Sequence, residues 1–138
     1  MSDASPKGKV LIVDDEADTV RYLEMLLRDG GYETATASDG EAALAMARRD
    51  RPLLVTLDIS MPKASGTRFY RALKDDPALA AVPIVIVTGV TGYGGDPYGY
   101  KAFLDSRSTP PPEAFFPKPI DRDEFLATVR RLLAARSP

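Results

Sequence analysis

The sequence predicts a doubly wound α/β fold, a five-stranded parallel sheet with helices on both faces. Five short strand-like runs recur along the chain: Val10 to Val13, Glu33 to Ala37, Leu53 to Leu57, Ile84 to Val87 and Ala114 to Phe116. Stretches with helical spacing alternate with them. With 138 residues, 44% of them apolar, the chain has the size of one domain and the material for one sizeable core. Strands that alternate with helices join in parallel through right-handed crossovers, which place helices on both faces.

Met1 to Gly8 is polar and rich in small residues, so a frayed tail is expected there, with a single domain over residues 9–138. The first helix is expected from Glu16 to Arg28, with Val20, Leu23 and Leu27 on its core face and Asp29-Gly30-Gly31 ending it. Ser38 and Glu41 stand three apart, the spacing of a capping box, and open an alanine-rich helix to Arg49. Gly66 to Lys74 reads as a third helix, closed before Pro77. Asp96-Pro97 supplies a cap and a first-turn proline for a short fourth helix to about Ser106. Asp121 with Glu124 caps a last helix whose inner face carries Phe125, Val129 and Leu132. The order is βαβαβαβαβα, and no internal repeat is present.

Composition narrows the chemistry. There is no cysteine and no histidine, which excludes disulfides, thiolate or imidazole metal sites and a Ser-His-Asp triad. Carboxylates, hydroxyls and lysine remain. A net charge of −2 gives no broad basic footprint for nucleic acid or anionic membrane. The arginine clusters at 48, 49 and 51 and at 130, 131 and 136 fall where predicted helices end, and cations there complement the helix dipole. The apolar stretch after Lys9 is too short for a signal peptide and no run reaches membrane-spanning length, so a soluble, cytoplasmic protein is the expectation.

In doubly wound sheets ligands bind beyond the carboxyl ends of the strands. Here those ends carry Asp14 and Asp15, Asp58, Thr88 and Lys118. Each alone has an ordinary structural role as a helix cap, a strand end or a solvated lysine. Together they are costly: two carboxylates about 4 Å apart repel by about 4 kcal/mol at an effective dielectric of about 20. Three converging acids therefore call for a cation, and Mg2+ suits them, since it takes hard oxygen ligands and keeps positions open for phosphoryl oxygens. Lys118 adds a second positive charge and Thr88 a hydrogen bond, the parts needed to transfer a phosphoryl group onto an aspartate.

In "VLIVDDE", "LDISMPKASG", "VIVTG" and "FFPKPI", in that order and strand context, the chain resembles the receiver domains of bacterial two-component response regulators, from Lys9 to about Ala135. The resemblance implies the flavodoxin-like strand order 2-1-3-4-5. It implies Asp58 as the phosphoacceptor, and Mg2+ held directly by Asp15, Asp58 and the backbone carbonyl of Ser60, with Asp14 acting largely through water. Lys118, Thr88 and the adjacent Gly89 would meet the phosphoryl oxygens. Thr88 and Phe115 would be the switch pair that reshapes the face made by the fourth helix, strand five and the fifth helix. The family often dimerises through that face. Its partners are a sensor histidine kinase or a histidine phosphotransfer protein upstream and a separate protein downstream. Without histidine the chain is not its own phosphohistidine donor, and with only one helix after Pro119 a stand-alone receiver, rather than an enzyme acting on other molecules, is the expectation.

Several features depart from the family pattern or qualify it. The segment from Gly89 to Glu113 is longer than the usual link, and its glycines lack the spacing of a phosphate cradle. Tyr93, Tyr98 and Tyr100 within it suit packing or a partner surface. Pro117 removes a ladder donor, which an edge strand tolerates. Relatives commonly have a cis bond where Lys118-Pro119 stands. Ser60 and Val90, at the positions that tune phosphoryl lifetime in relatives, are not acidic, so an unusually short lifetime is not expected. Two other readings use the same acids. One is a phosphatase of the haloacid dehalogenase type, which would want a second Asp two residues after its nucleophile. The other is an inert flavodoxin-like interaction domain whose acids are only caps.

Overall fold

The computed structural model describes residues 8–58, 61, 65–88 and 112–136. Five parallel strands, β1 (Lys9–Val13), β2 (Glu33–Ala37), β3 (Leu54–Leu57), β4 (Ile84–Thr88) and β5 (Ala114–Pro117), form one sheet in the order β2-β1-β3-β4-β5. The helices are α1 (Ala17–Asp29), α2 (Gly40–Asp50), α3 (Ser65–Asp75) and a C-terminal helix (Arg122–Arg136). The expected fourth helix, Asp96 to Ser106, lies outside the described residues, as do residues 1–7 of the expected tail. Among the described residues no helix is long and apolar enough to cross a membrane.

Strands buried on both faces must be apolar at every position, and β1 and β3 are built that way. Val10 and Ile12 of β1 point to one side with Leu54, Val85 and Val87, where Leu23, Leu26 and Leu27 of α1 and Phe125, Leu126 and Val129 of the C-terminal helix cover them. Leu11 and Val13 point to the other side with Val55, Leu57, Ile84 and Ile86, beneath Ala43 and Ala47 of α2 and Phe69, Tyr70 and Leu73 of α3. One alternating register thus separates two cores. Leu26, absent from the expected core face of α1, is fully buried with its neighbours.

Local details refine the expected boundaries. Gly31 takes φ +94° just after α1, a conformation glycine adopts without a Cβ penalty. The capping box expected from Ser38 and Glu41 does not form. The helix begins one residue later, so Asp39 is the N-cap and accepts the Ala42 N–H at 2.8 Å. Asp121 does cap the last helix, accepting the Glu124 N–H at 3.0 Å. β5 runs on through Pro117, tolerated because β5 is an edge. At the amino end of this edge Glu113 clamps β4: its carboxylate accepts the Ile84 N–H at 2.7 Å and its own N–H donates to the Ile84 carbonyl at 3.0 Å. Lys74, its side chain only 5% exposed, stands 3.7 Å from the same carboxylate.

The two helices on the α2 and α3 side approach most closely at Gly40, whose N–H donates to the Ser65 hydroxyl. A Cβ at Gly40 would lie 2.4 Å from the Ser65 carbonyl oxygen and 3.1 Å from Phe69 Cβ. Alanine ordinarily improves a helix over glycine by about 1 kcal/mol, but this overlap with backbone outweighs that gain, so Gly40→Ala is expected to lose a net ~1–2 kcal/mol. Urea unfolding should show a lower midpoint at unchanged slope; a midpoint equal to or above wild type would contradict the close approach.

Candidate functional site

The central strands β1 and β3 are neighbours, so the residues that follow them are brought side by side. The ladder extends one residue past each strand: Asp14 donates its N–H to Ala37 at 3.1 Å, and Asp58 donates to Val13 at 2.9 Å. Backbone bonds therefore hold both carboxylates at the sheet edge, where Asp14 and Asp58 are each 3% exposed. From the far side of β4, Lys118 follows β5 directly, and the bond to Pro119 is cis. The Tyr22 hydroxyl donates to the Ile120 carbonyl at 3.1 Å and ties α1 to the segment carrying this lysine.

Lys118 Nζ meets three carboxylates. It lies 3.3 Å from Asp14 Oδ2 and 3.6 Å from Asp58 Oδ2, and it donates a hydrogen bond to Glu16 Oε1. Oxygens of Asp14, Glu16 and Asp58 all fall within 4.8 Å of one another. Asp14 Oδ1 accepts the Glu16 N–H at 2.8 Å, whereas Asp14 Oδ2 is buried and has no hydrogen-bond partner. The contact with Lys118 is thus an ion pair without hydrogen-bond geometry.

Electrostatics follow from this crowding. Burial pushes the Asp14 carboxyl up, the Glu16 N–H opposes it, and the Asp58 charge adds to the rise against Lys118, for a pKa of about 6. Burial works against the Lys118 charge, but the Glu16 bond and the charges of Asp58 and Asp14 outweigh it and hold the ammonium above its ordinary value. Among the described residues, Lys118 is the one cation paired with these three acids. A buried oxygen without a donor, set among hard oxygen ligands, fits a divalent ion such as Mg2+.

The structure brings together Asp14, Asp58 and Lys118 of the expected site. Asp15 is exposed, outside this cluster, and lines two clefts beside it, one with Asp39, Met61 and Ser65 and one with Asp14, Ala17 and Ser38. Thr88 ends β4, next to the edge strand. Phe115 points away from the core, 41% exposed, while Phe116 packs inward against Phe125 with ring centroids 5.7 Å apart. Ser60, Gly89, Val90, Tyr93, Tyr98 and Tyr100 lie outside the described residues.

Glu16 is the site residue that the sequence analysis does not single out: it is the N-cap residue of α1, but its side chain makes no capping bond and reaches Lys118 instead. The pairing spans 102 positions, so no local pattern could signal it. The only hint was three consecutive acids at one strand end.

Comparison with known proteins agrees with this fold. The family model described as "Response regulator receiver domain" matches residues 10–130. The chain is similar to the response regulator PleD of Caulobacter vibrioides, 41% identical over 125 residues, covering 91% of this chain but only 26% of PleD. It is similar to the polar-differentiation response regulator DivK of Brucella anthropi, 32% identical over 128 residues, covering 93% of this chain and 97% of DivK. Among solved structures, the chemotaxis response regulator CheY4 of Vibrio cholerae superposes with a TM-score of 0.74 at 30% identity, covering 90% of this chain and 97% of that one.

The Asp14 carboxyl makes a stability prediction. Its pKa is about 6 folded and near 3.8 unfolded, so the folded state holds its proton more tightly, and ionisation costs stability as pH rises from about 4 through 6. About a unit above pH 6 the cost is complete, on the order of 3 kcal/mol. Asp14→Asn should therefore raise the urea midpoint at pH 7.5 in metal-free buffer, and the gain should shrink toward zero near pH 4. Equal effects at both pH values would contradict the buried-charge account.

Proposed function

Because this chain belongs to the family of response regulator receiver domains, we propose that it is a phosphorylation-dependent signalling module in which Asp58 accepts the phosphoryl group. The observation that carries this is the placement of Asp58: buried at the end of a central strand, beside Asp14, with Lys118 Nζ at 3.6 Å. Receiver domains bind Mg2+ at an acidic pocket, and the donors here fit that ion. Asp14, Asp15 and Asp58, with the Ser60 carbonyl, would hold it, Asp14 largely through water. When bound, it supplies charge that neutralises phosphoryl oxygens.

The protein's own residues do the remaining work. An Asp58 carboxylate oxygen forms a bond to phosphorus as the bond from phosphorus to the donor's imidazole nitrogen breaks, the electron pair staying on that nitrogen. Lys118, anchored to the same cluster, takes a phosphoryl oxygen, and the Thr88 hydroxyl and Gly89 backbone take others. No histidine occurs in the chain, so the donor group lies outside this sequence, on a histidine kinase or a histidine phosphotransfer protein. Aspartyl phosphate adds charge and acceptor oxygens that draw Thr88 inward, and the exposed Phe115 follows. Its ring carries no hydroxyl, so burying it strands no polar group. The reshaped face of β5 and its neighbouring helices then binds a separate downstream protein.

Incubating the protein with Mg2+ and acetyl phosphate tests the assignment. A single phosphoryl mass increment is expected in wild type, absent with chelator and absent in Asp58→Asn. An increment that persists in Asp58→Asn would overturn the role of Asp58, and sustained turnover of phosphate esters would overturn the signalling reading.

A further inference from the structure

Two adjacent phenylalanines make the register of the edge strand matter. Phe116 is buried against Phe125, whereas Phe115 is 41% exposed. A slip of one residue exchanges the two faces of a strand, so it would set Phe115 against Phe125 instead. The two rings are chemically the same, so that contact alone does not choose between the registers.

The choice decides where Lys118 goes. Val10, Ile12, Leu54 and Phe116 belong to the core beneath α1 and the C-terminal helix, and Asp14, Asp58 and Lys118 continue those alternations past their strand ends. Nζ thereby comes to 3.3 Å from Asp14 Oδ2 and 3.6 Å from Asp58 Oδ2. A one-residue slip would move the strand about 3.3 Å and turn Lys118 to the opposite face.

The carboxyl end of β5 contributes little to the register, because Pro117, opposite Thr88, has no N–H to donate. The amino end is held by Glu113. Its main-chain N–H donates to the Ile84 carbonyl at 3.0 Å, and its Oε1 accepts the Ile84 N–H at 2.7 Å, taking the place of a further strand carbonyl. The other carboxylate oxygen lies 3.7 Å from Lys74 Nζ, on a side chain only 5% exposed. That ammonium also donates to the Ala80 carbonyl at 3.5 Å and stands 5.6 Å from the centre of the Tyr70 ring. The start of β5 is thus tied to β4, to α3 and to the link between them.

We infer that Glu113 is a positioning residue: by capping the start of the β4–β5 ladder it fixes the register of β5, which turns Phe115 outward and brings Lys118 to Asp14 and Asp58. What that placement does for phosphoryl transfer rests on the proposed function; the register does not.

Competitive acetylation of lysines by acetic anhydride, read by mass spectrometry with Lys9, 40% exposed, as internal standard, tests it in wild type, E113Q and E113A. Lys118, 18% exposed and ion-paired, should label slowly in wild type and about ten-fold faster in E113A. E113Q keeps an oxygen for the Ile84 N–H, so it should stay within about two-fold of wild type although the Lys74 ion pair is lost. A lower urea midpoint in E113A with Lys118 labelling unchanged would mark a merely structural role and overturn the inference. Phosphorylation by acetyl phosphate should slow in E113A as Lys118 is released. Release without slowing would leave the register standing and overturn the part given to Lys118 in the proposed function. A measurement on wild type covers the case of a variant that does not fold. The Ile84 amide should exchange as slowly as the Ile86 amide, two residues along the same edge of β4, and exchange at the rate of an open amide would overturn the clamp.

Discussion

Among the described residues, two buried carboxylates at adjacent strand ends share one ammonium, and that imbalance organises the rest of the site. Asp14 and Asp58 are placed by backbone bonds that belong to the sheet, so they cannot separate without breaking the ladder between β1, β2 and β3. Lys118 arrives from the edge strand, far away in sequence, and brings too little charge to satisfy them. Folding thus stores an electrostatic cost at the one edge where α/β sheets bind ligands. In the function proposed above, a cation would relieve it, and a phosphoryl group brought with that cation would find its counter-charges already in place.

The features the sequence disclosed most clearly are those governed by periodicity. A four-residue apolar run such as Val10 to Val13 reads as a strand covered on both faces, and the two cores on either side of it confirm that reading. Pro117 pointed to an edge position for β5, which the strand order bears out. Details settled by a single residue of offset were less legible. Ser38 and Asp39 are both good caps, and only the start of α2 at Gly40 decides for Asp39. Leu26 falls outside the narrow stripe of Val20, Leu23 and Leu27, whereas sheet and C-terminal helix together cover a wider face of α1.

The site was legible as a set of strand ends and illegible as a network. Strand ends can be counted from sequence, so Asp14, Asp58 and Lys118 could be brought together before any coordinates. Which acid holds the lysine is a question of side-chain reach across the gap between β1 and β5, and local rules assigned Glu16 to its own helix instead. Asp15, adjacent in sequence to Asp14, faces the α2 and α3 side of the edge, a reminder that neighbouring residues leaving a strand diverge. The chain belongs to the receiver family and spans most of DivK but about a quarter of PleD.

The central claim is that the fold forces an undercompensated charge pair onto the site, and the protonation of Asp14 reports it most directly. Following the Asp14 carboxyl carbon by NMR through a pH titration of metal-free protein should give a midpoint near pH 6, moved downward by saturating Mg2+. A midpoint near the ordinary value of 3.8 without metal, or one that Mg2+ leaves unmoved, would contradict the account.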